Sequence, residues 1–492
     1  MNPLLKKHAV TAALITVALA GCVTAPTKDS NTDNPAQSTA TTTAIATAAP
    51  ETIKEGLVTT SDSVSEYRLA NGLTILVKED HRAPVVVSQI WYKVGSSYEH
   101  NGSTGLAHML EHMMFKGTHE HGPNEFSRII SANGGRENAF TGQDYTAYFQ
   151  QLEKSRLPIS FELEADRMAN LNLRAEDFAK EVQVVMEERR MRTDDKPRAL
   201  TFEQFAAAAY VNSPYHHPII GWMNDLENMT VDDMRGWYKT WYVPNNATLV
   251  VAGDVDPQAV FELAKKTYGQ VKPHPVPTVK PQIEIEQKGI RRITVKAPAQ
   301  LPYIIMGYKV PVVKTAEAEW EPYALEMLAN ILDAGESSRF SKDLVRGQQI
   351  AASVSAGYDL YSRLDELMLF DGTPATGKSV DDLEKAIRAQ IKTLKTELVS
   401  QAELDSIKAQ VVASKVYEKD SVFYQAMQIG TLATVGLDWQ LMDQFVDRLR
   451  AVTPEQVQAV AKKYLIDDHL TVAVLDPQST PVAANGGHAH AQ

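Results

Sequence analysis

Two stretches of this chain echo one another. "MTVDDMRGWYKTWYVPNNATLVVAGDVDP", Met229 to Pro257, is followed much later by "VTPEQVQAVAKKYLIDDHLTVAVLDP", Val452 to Pro477. Both pass from a Thr with an acid soon after it, through a helical pattern and a Tyr, to a polar turn, a Val-rich strand and Asp-Pro. The offset is about 222 residues. A helix-then-strand ending used twice at that spacing predicts two similar domains of roughly 200 residues each. Chance likeness of two ordinary helix-strand units is the plainer alternative.

The local patterns say what each copy contains. "YRLANGLTILVKED", Tyr67 to Asp80, alternates apolar and polar residues around Asn71-Gly72, a hairpin signal. A second β run spans Ala83 to Gly95. Helical patterns then cover 103–116, 124–132, 155–170 and 177–192, with "NAFTGQDYTAYFQQL" between them as a strand. The class is α+β: two homologous domains, each a mostly antiparallel sheet packed with helices. The first domain is expected at 61–272 and the second at 290–480. Between them lies a linker at 273–289, within "VKPHPVPTVKPQIEIEQKG", whose prolines resist regular structure.

The flanks do not look like packed domain. Lys6 and Lys7 precede an apolar run from Ala9 to Gly21, too short for a membrane span and shaped like the core of a signal peptide. The run ends "LAGC" and resembles a bacterial lipobox, in which Cys22 becomes the lipidated first residue. Cys22 is the only cysteine, so no internal disulfide can form. Residues 23–60, rich in Thr, Ala, Ser and Pro, read as a disordered tether with a reach of roughly 30 to 40 Å. The tail 481–492 reads as disordered too, with His488 and His490 in it. The expected location is the bacterial cell envelope, lipid-anchored. Val23 after the Cys, rather than Asp, points to the outer membrane facing the periplasm. A formal charge of -12 argues against a nucleic-acid partner, which calls for a basic face.

"GLAHMLEHMMFKGTHEH", Gly105 to His121, concentrates four histidines and two glutamates. His108, Glu111 and His112 form His-x-x-Glu-His on a helix that Ser103 or Thr104 could cap. Spacings of three and four put both imidazoles and the carboxylate on one face, so two imidazoles can share one metal ion. Zinc suits this donor set, because its catalytic sites use three His and carboxylate ligands and leave one position open. Glu111 would then act as general base on a water acidified by the ion. With 13 histidines in 492 residues, such a set is rare by accident. Its apolar flanks also disfavour a merely solvated helix face. His119 and His121 follow Lys116-Gly117, which should end the helix, and are expected in a solvent-facing loop.

His-x-x-Glu-His is the inverzincin signature, and at this point the sequence resembles the pitrilysin, or insulinase, family of zinc peptidases. It is most similar to the short two-domain members akin to mitochondrial processing peptidase subunits. "GLAHMLEHMMFKGT", "GGRENAFTGQDYTAY", "VVMEERRMRTDDKP", "YHHPIIGWMNDLENMT" and "YVPNNATLVVAGDVDP" match family blocks in order. The resemblance implies a third ligand, a Glu on a later helix, which falls at Glu188, with Glu187 as the adjacent alternative. It also implies that Glu181, two turns earlier, steadies a ligand, and that one Zn²⁺ is bound per chain. "NAFTGQDYTAYF" matches the edge strand that captures peptides by strand addition, with Asn138, Ala139 and Phe140 lining the substrate.

Between His274 and His469 there is no histidine, so only the first domain is expected to be catalytic. In the family the inactive domain supplies an Arg and a Tyr, seven positions apart, that hydrogen-bond the substrate. Aligned without gaps here, the Arg falls at Val345, beside Arg346, and the Tyr at Ala352. The resemblance therefore implies a homologous partner subunit carrying the pair, as a heterodimer, or a homodimer in which Arg346 takes over. The chain is expected to be a zinc endopeptidase acting on peptides or unfolded polypeptides. The alternative is a catalytically idle envelope scaffold or peptide-binding subunit of the same fold; such members usually lose motif ligands, all of which are present here.

Overall fold

The computed structural model describes residues 53–61 and 64–479. The signal run, Cys22, the tether before residue 53 and the terminal histidines lie outside the described residues. Among the described residues no helix is long and apolar enough to cross a membrane.

The first sheet is built from β1 (Gly56–Thr60), β2 (Val64–Arg68), β3 (Thr74–Glu79), β4 (Val85–Tyr92), β5 (Arg136–Thr141), β6 (Thr146–Glu153) and β7 (Ala247–Gly253). The second uses β8 (Arg291–Pro298), β9 (Tyr303–Val310), β10 (Ala351–Gly357), β11 (Glu366–Pro374) and β12 (Leu470–Gln478). Strand order is β1-β2-β3-β7-β4-β6-β5 in one and β10-β11-β9-β12-β8 in the other. Read from β3 and from β8, the two orders are the same. Only β3–β7 and β8–β12 are parallel. The repeated unit behaves alike in both halves. The helices Val231–Trp241 and Pro454–Tyr464 each begin with a capping box, on Thr230 and Thr453, and lead into the central strands β7 and β12. The expected α+β duplication is what the chain builds.

Two local expectations need correction. The tether expected over 23–60 overlaps ordered structure, since β1 pairs with β2 from Gly56 onward. Leu57 and Val58 are 60% and 50% exposed, so ladder hydrogen bonds rather than burial hold this edge strand, and composition gave no sign of it. The single strand expected over "NAFTGQDYTAYFQQL" is a hairpin. β5 ends at Thr141, the turn closes with Gly142 N–H donating to the Tyr145 carbonyl at 2.8 Å, and β6 returns between β4 and β5. Only β5 is an edge. The Asn71-Gly72 turn forms as expected, with Gly72 at φ 91 and the Asn71 amide donating to the carbonyls of Tyr268 and Val271.

One face of each sheet carries that half's own helices. The other face is covered by a helix from the opposite half. Pro197–Ala209 lies on β8, β9 and β12, burying Phe205 and Ala209 against Val295, Ile305 and Ala473. Val422–Val435 lies on β3, β4 and β7, burying Ala426, Ile429 and Leu432 against Leu76, Trp91 and Val250. Close approach is bought by glycine on alternate sides: a Cβ at Gly307 would stand 2.6 Å from Phe205, and one at Gly430 would stand 2.1 Å from Trp91. The segment 272–289 has neither helix nor strand. It is nonetheless fixed, because the Glu284 carboxylate accepts from the backbone N–H groups of Val211, Asn212 and Ser213 and from Lys309.

Candidate metal centre

The helix Leu106–Met113 starts without help from Ser103 or Thr104. Their hydroxyls are used elsewhere, on the His100 carbonyl and on Asp225. Instead the buried Glu99 carboxylate accepts from the N–H groups of Gly105 at 2.8 Å and Ala107 at 2.7 Å. Anionic oxygen at a helix N-terminus is favourable, although burial pushes this carboxyl well above its usual range. Gly105 sits at φ 87 with its Cα against the Ile220-Gly221 backbone, where a Cβ would come within 2.7 Å of the Ile220 carbonyl. The motif helix is thereby seated with Ala107, Met109, Leu110 and Met113 in the core.

His108 and His112 face the same way, ring centroids 4.8 Å apart. The helix Ala175–Arg189 brings Glu188 to them: Oε2 lies 3.3 Å from His112 Nε2 and Oε1 lies 3.9 Å from His108 Nε2. One donor atom from each of the three lies within 4.8 Å of the others. Glu187 points away and pairs with Arg190 on the surface. On the far side, Glu181 accepts from His112 Nδ1 at 3.0 Å and from Lys116 Nζ at 2.5 Å. A carboxylate at Nδ1 fixes a proton there and turns Nε2 toward Glu188. Burial and the neighbouring His112 hold His108 down at about 4, so its imidazole is neutral. Burial opposes a charge on His112, but the hydrogen bonds it donates to the Glu181 and Glu188 carboxylates outweigh that and drive it up to about 9. Two imidazole nitrogens and a carboxylate, one imidazole oriented from behind, fit a zinc ion. Arg192, 2.5 Å from Glu188 Oε1, is a partner that sequence reading missed.

Glu111 shares the helix. Burial raises its carboxyl, and the Thr141 hydroxyl donates to Oε2 at 2.5 Å. Thr141 ends β5, so the edge strand runs up to this acid. On β5, Asn138 is exposed and its Oδ1 accepts from Ala139 N–H at 2.9 Å, while Phe140 packs edge-on to Trp91. Tyr145 and Tyr148 are packing residues, the first against Trp91 and the second hydrogen-bonded to Tyr242. His121 groups with Glu120 and Asp166 as a separate set, apart from the first three residues. Arg346 is not brought to this centre: it donates to the Glu336 carboxylate and carbonyl in the second half. Val345 leans on the second core and Ala352 lies on β10.

Residues 74–222 match the family described as insulinase, peptidase family M16, and 228–411 match the peptidase M16 inactive domain. The zinc protease PqqE of Helicobacter pylori is 34% identical over 418 residues, 83% of this chain and 92% of that protein. The chain belongs to the M16 peptidase family. This M16 chain is also 25% identical to an uncharacterized zinc protease, YmxG, of Bacillus subtilis, over 84% of its own length and 98% of the relative's. A crystal structure of a protease from Helicobacter pylori superposes with a TM-score of 0.80 at 32% identity, covering 84% of the M16 chain and all of that one. The chain is thus a short, two-domain M16 member whose relatives are named zinc proteases.

Proposed function

We propose that this chain is a zinc-dependent endopeptidase that cleaves peptides or unfolded polypeptides. His108, His112 and Glu188 would hold one Zn²⁺, which supplies Lewis acidity toward a water and a peptide carbonyl. Glu111 takes a proton from the attacking water and returns it to the leaving amine, a task suited to a carboxyl raised by burial. β5, paired only with β6, offers its free N–H and C=O groups to an extended peptide, with Asn138, Ala139 and Phe140 along it. The observation that carries the reading is the convergence of His108, His112 and Glu188 beside Glu111 at the end of that strand.

Arg346 is engaged by Glu336, and Ala352 stands at the family's Tyr position. This supports a homologous subunit as the source of the Arg and Tyr, and hence a heterodimer. Lipidation at Cys22 would hold the enzyme at the outer membrane, facing the periplasm. Glu111→Gln is expected to keep its zinc and lose peptide hydrolysis; undiminished turnover would remove Glu111 from the mechanism. His108→Ala should lower metal per chain. Purifying the native lipoprotein and assaying cleavage with and without chelator tests both the chemistry and the partner.

A further inference from the structure

Glu111 stands on one helix, but its carboxylate is held from another element. A glutamate side chain has three soft torsions, so a base that must meet one water needs a partner to choose among its rotamers. That partner is Thr141 Oγ1, at 2.5 Å. Thr141 is itself at the weakest place in a sheet, the last residue of an edge strand. Something must hold it there.

The hold comes from the hairpin tip. The carbonyls of Gly142 and Gln143 accept from Ser96 N–H at 3.2 Å and Ser97 N–H at 2.8 Å. The approach at Gly95 is so close that a Cβ there would lie 2.3 Å from the Gly142 carbonyl oxygen. Next in the turn, the buried Asp144 collects a converging set of donors. Ser97 Oγ lies at 2.7 Å, the Tyr215 hydroxyl donates to the other oxygen, and Arg363 gives both its backbone N–H and its Nε at 3.0 Å. Arg363 Nη2 also reaches Ser97 Oγ at 2.8 Å, and the guanidinium lies 4.5 Å over the Tyr98 ring. Arg363 belongs to the second half, in the loop between β10 and β11. Its fork therefore spans the two halves, gripping the turn that begins one residue after Thr141.

We infer that Thr141 is a positioning residue for Glu111, and that the second half holds Thr141 in register through the Arg363–Asp144 grip. The inference rests on the peptidase reading. It gives the half without metal ligands a part in catalysis within its own chain, separate from any partner subunit.

The test uses the full lipoprotein, purified with whatever chain accompanies it, as wild type, Thr141→Val, Thr141→Ser and Arg363→Lys. Thr141→Val keeps shape and loses the hydroxyl. It should bind zinc as wild type does, with kcat about 10- to 100-fold lower and KM within about twofold, the effect of one charge-assisted hydrogen bond. Thr141→Ser should recover kcat to within about threefold. A crystal structure of metal-free Thr141→Val should show the Glu111 carboxylate in a different rotamer. Arg363→Lys keeps the charge but not the fork, and should speed amide exchange over residues 138–147 with zinc content unchanged. Wild-type kcat in Thr141→Val, equal impairment in Thr141→Ser, or unaltered exchange in Arg363→Lys would overturn the inference. If wild type cleaves nothing, the peptidase reading fails, while the Glu111 rotamer in Thr141→Val still decides whether Thr141 positions it.

Discussion

Replacing Gly430 by Ala sets two effects of opposite sign against each other. Gly430 is in the interior of the helix Val422–Val435, where Ala is the better helix former by about 0.5 to 1 kcal/mol. Propensity alone therefore predicts a more stable protein. The added methyl, however, would sit 2.1, 2.3 and 2.5 Å from three ring atoms of Trp91. Ordinary carbon contacts are about 3.5 to 4.0 Å, so ring or helix must move by more than about 1 Å. The ring has nowhere to go. It is fully buried, its Nε1 donates to Gln89 at 3.0 Å, and Phe140 and Tyr145 stand edge-on at 5.3 and 5.1 Å. Lifting the helix would strain its end attachments, Gln425 to Asp80 at 3.1 Å and Lys314 to the Val435 carbonyl at 2.5 Å. It would also open the cluster built from Ala426, Ile429 and Leu432. Overpacking costs about 1 to 3 kcal/mol, and a forced shift of more than about 1 Å puts this case at about 2 to 3, which leaves a net loss of about 1 to 2.5 kcal/mol after the propensity gain. Urea unfolding followed by circular dichroism should show a lower midpoint with unchanged slope. A variant as stable as wild type, or more so, would refute the reading of the contact between halves.

Three further outcomes follow from other sites. Glu181→Gln should weaken zinc binding about 10- to 100-fold in a competition with a chelator, because His112 Nδ1 loses its anionic acceptor; unchanged affinity would deny Glu181 that role. Arg167→Met leaves Glu164, 1% exposed at its side chain, without the guanidinium 2.6 Å away, and should cost about 3 to 5 kcal/mol in a melt; Glu164→Gln in the same chain should restore part of it. Asp80 is held at about 2, below its ordinary 3.8, chiefly by hydrogen bonds from Arg82. The folded chain thus binds fewer protons than the unfolded one between those values. The stabilisation is full above 3.8 and fades as pH falls through 2, by about 1 to 2 kcal/mol given that Arg82 is half exposed. Asp80→Asn should lose that stretch of the acid unfolding profile, and an identical profile would show the pairing to be idle.

What could be read in advance follows the distance over which each feature is decided. His108, Glu111 and His112 were legible because one helical turn contains their whole relation. Glu188 was reachable only through resemblance, since nothing between residues 112 and 188 states which of two adjacent glutamates turns inward. The start of the motif helix was misassigned because cap preferences describe residues adjoining the helix, whereas Glu99 reaches its N–H groups from outside that window. β1 escaped notice because an edge strand held by its ladder needs little apolar content. Thr141 lies within "NAFTGQDYTAYF", but its donation to Glu111 depends on where the hairpin tip is gripped, and Arg363 lies 219 residues from Asp144.

The exchange of helices was the least legible feature and explains the most. "PRALTFEQFAAAA" and "VFYQAMQIGTLATV" each announce burial, but neither sequence says which sheet it will cover. The duplication supplies the missing condition. Two sheets of the same strand order each have a second apolar face, and each half carries a helix whose own sheet does not receive it. Crossing the two helices closes both faces at once. The second half therefore cannot be removed without opening the first, because Trp91, Leu76 and Val250 of the first sheet are covered by Ala426, Ile429 and Leu432, with Trp439 and Met442 beside them. The same joint places Arg363 within reach of the hairpin tip. In this fold, keeping the first sheet closed and keeping Thr141 beside Glu111 are consequences of one contact between halves.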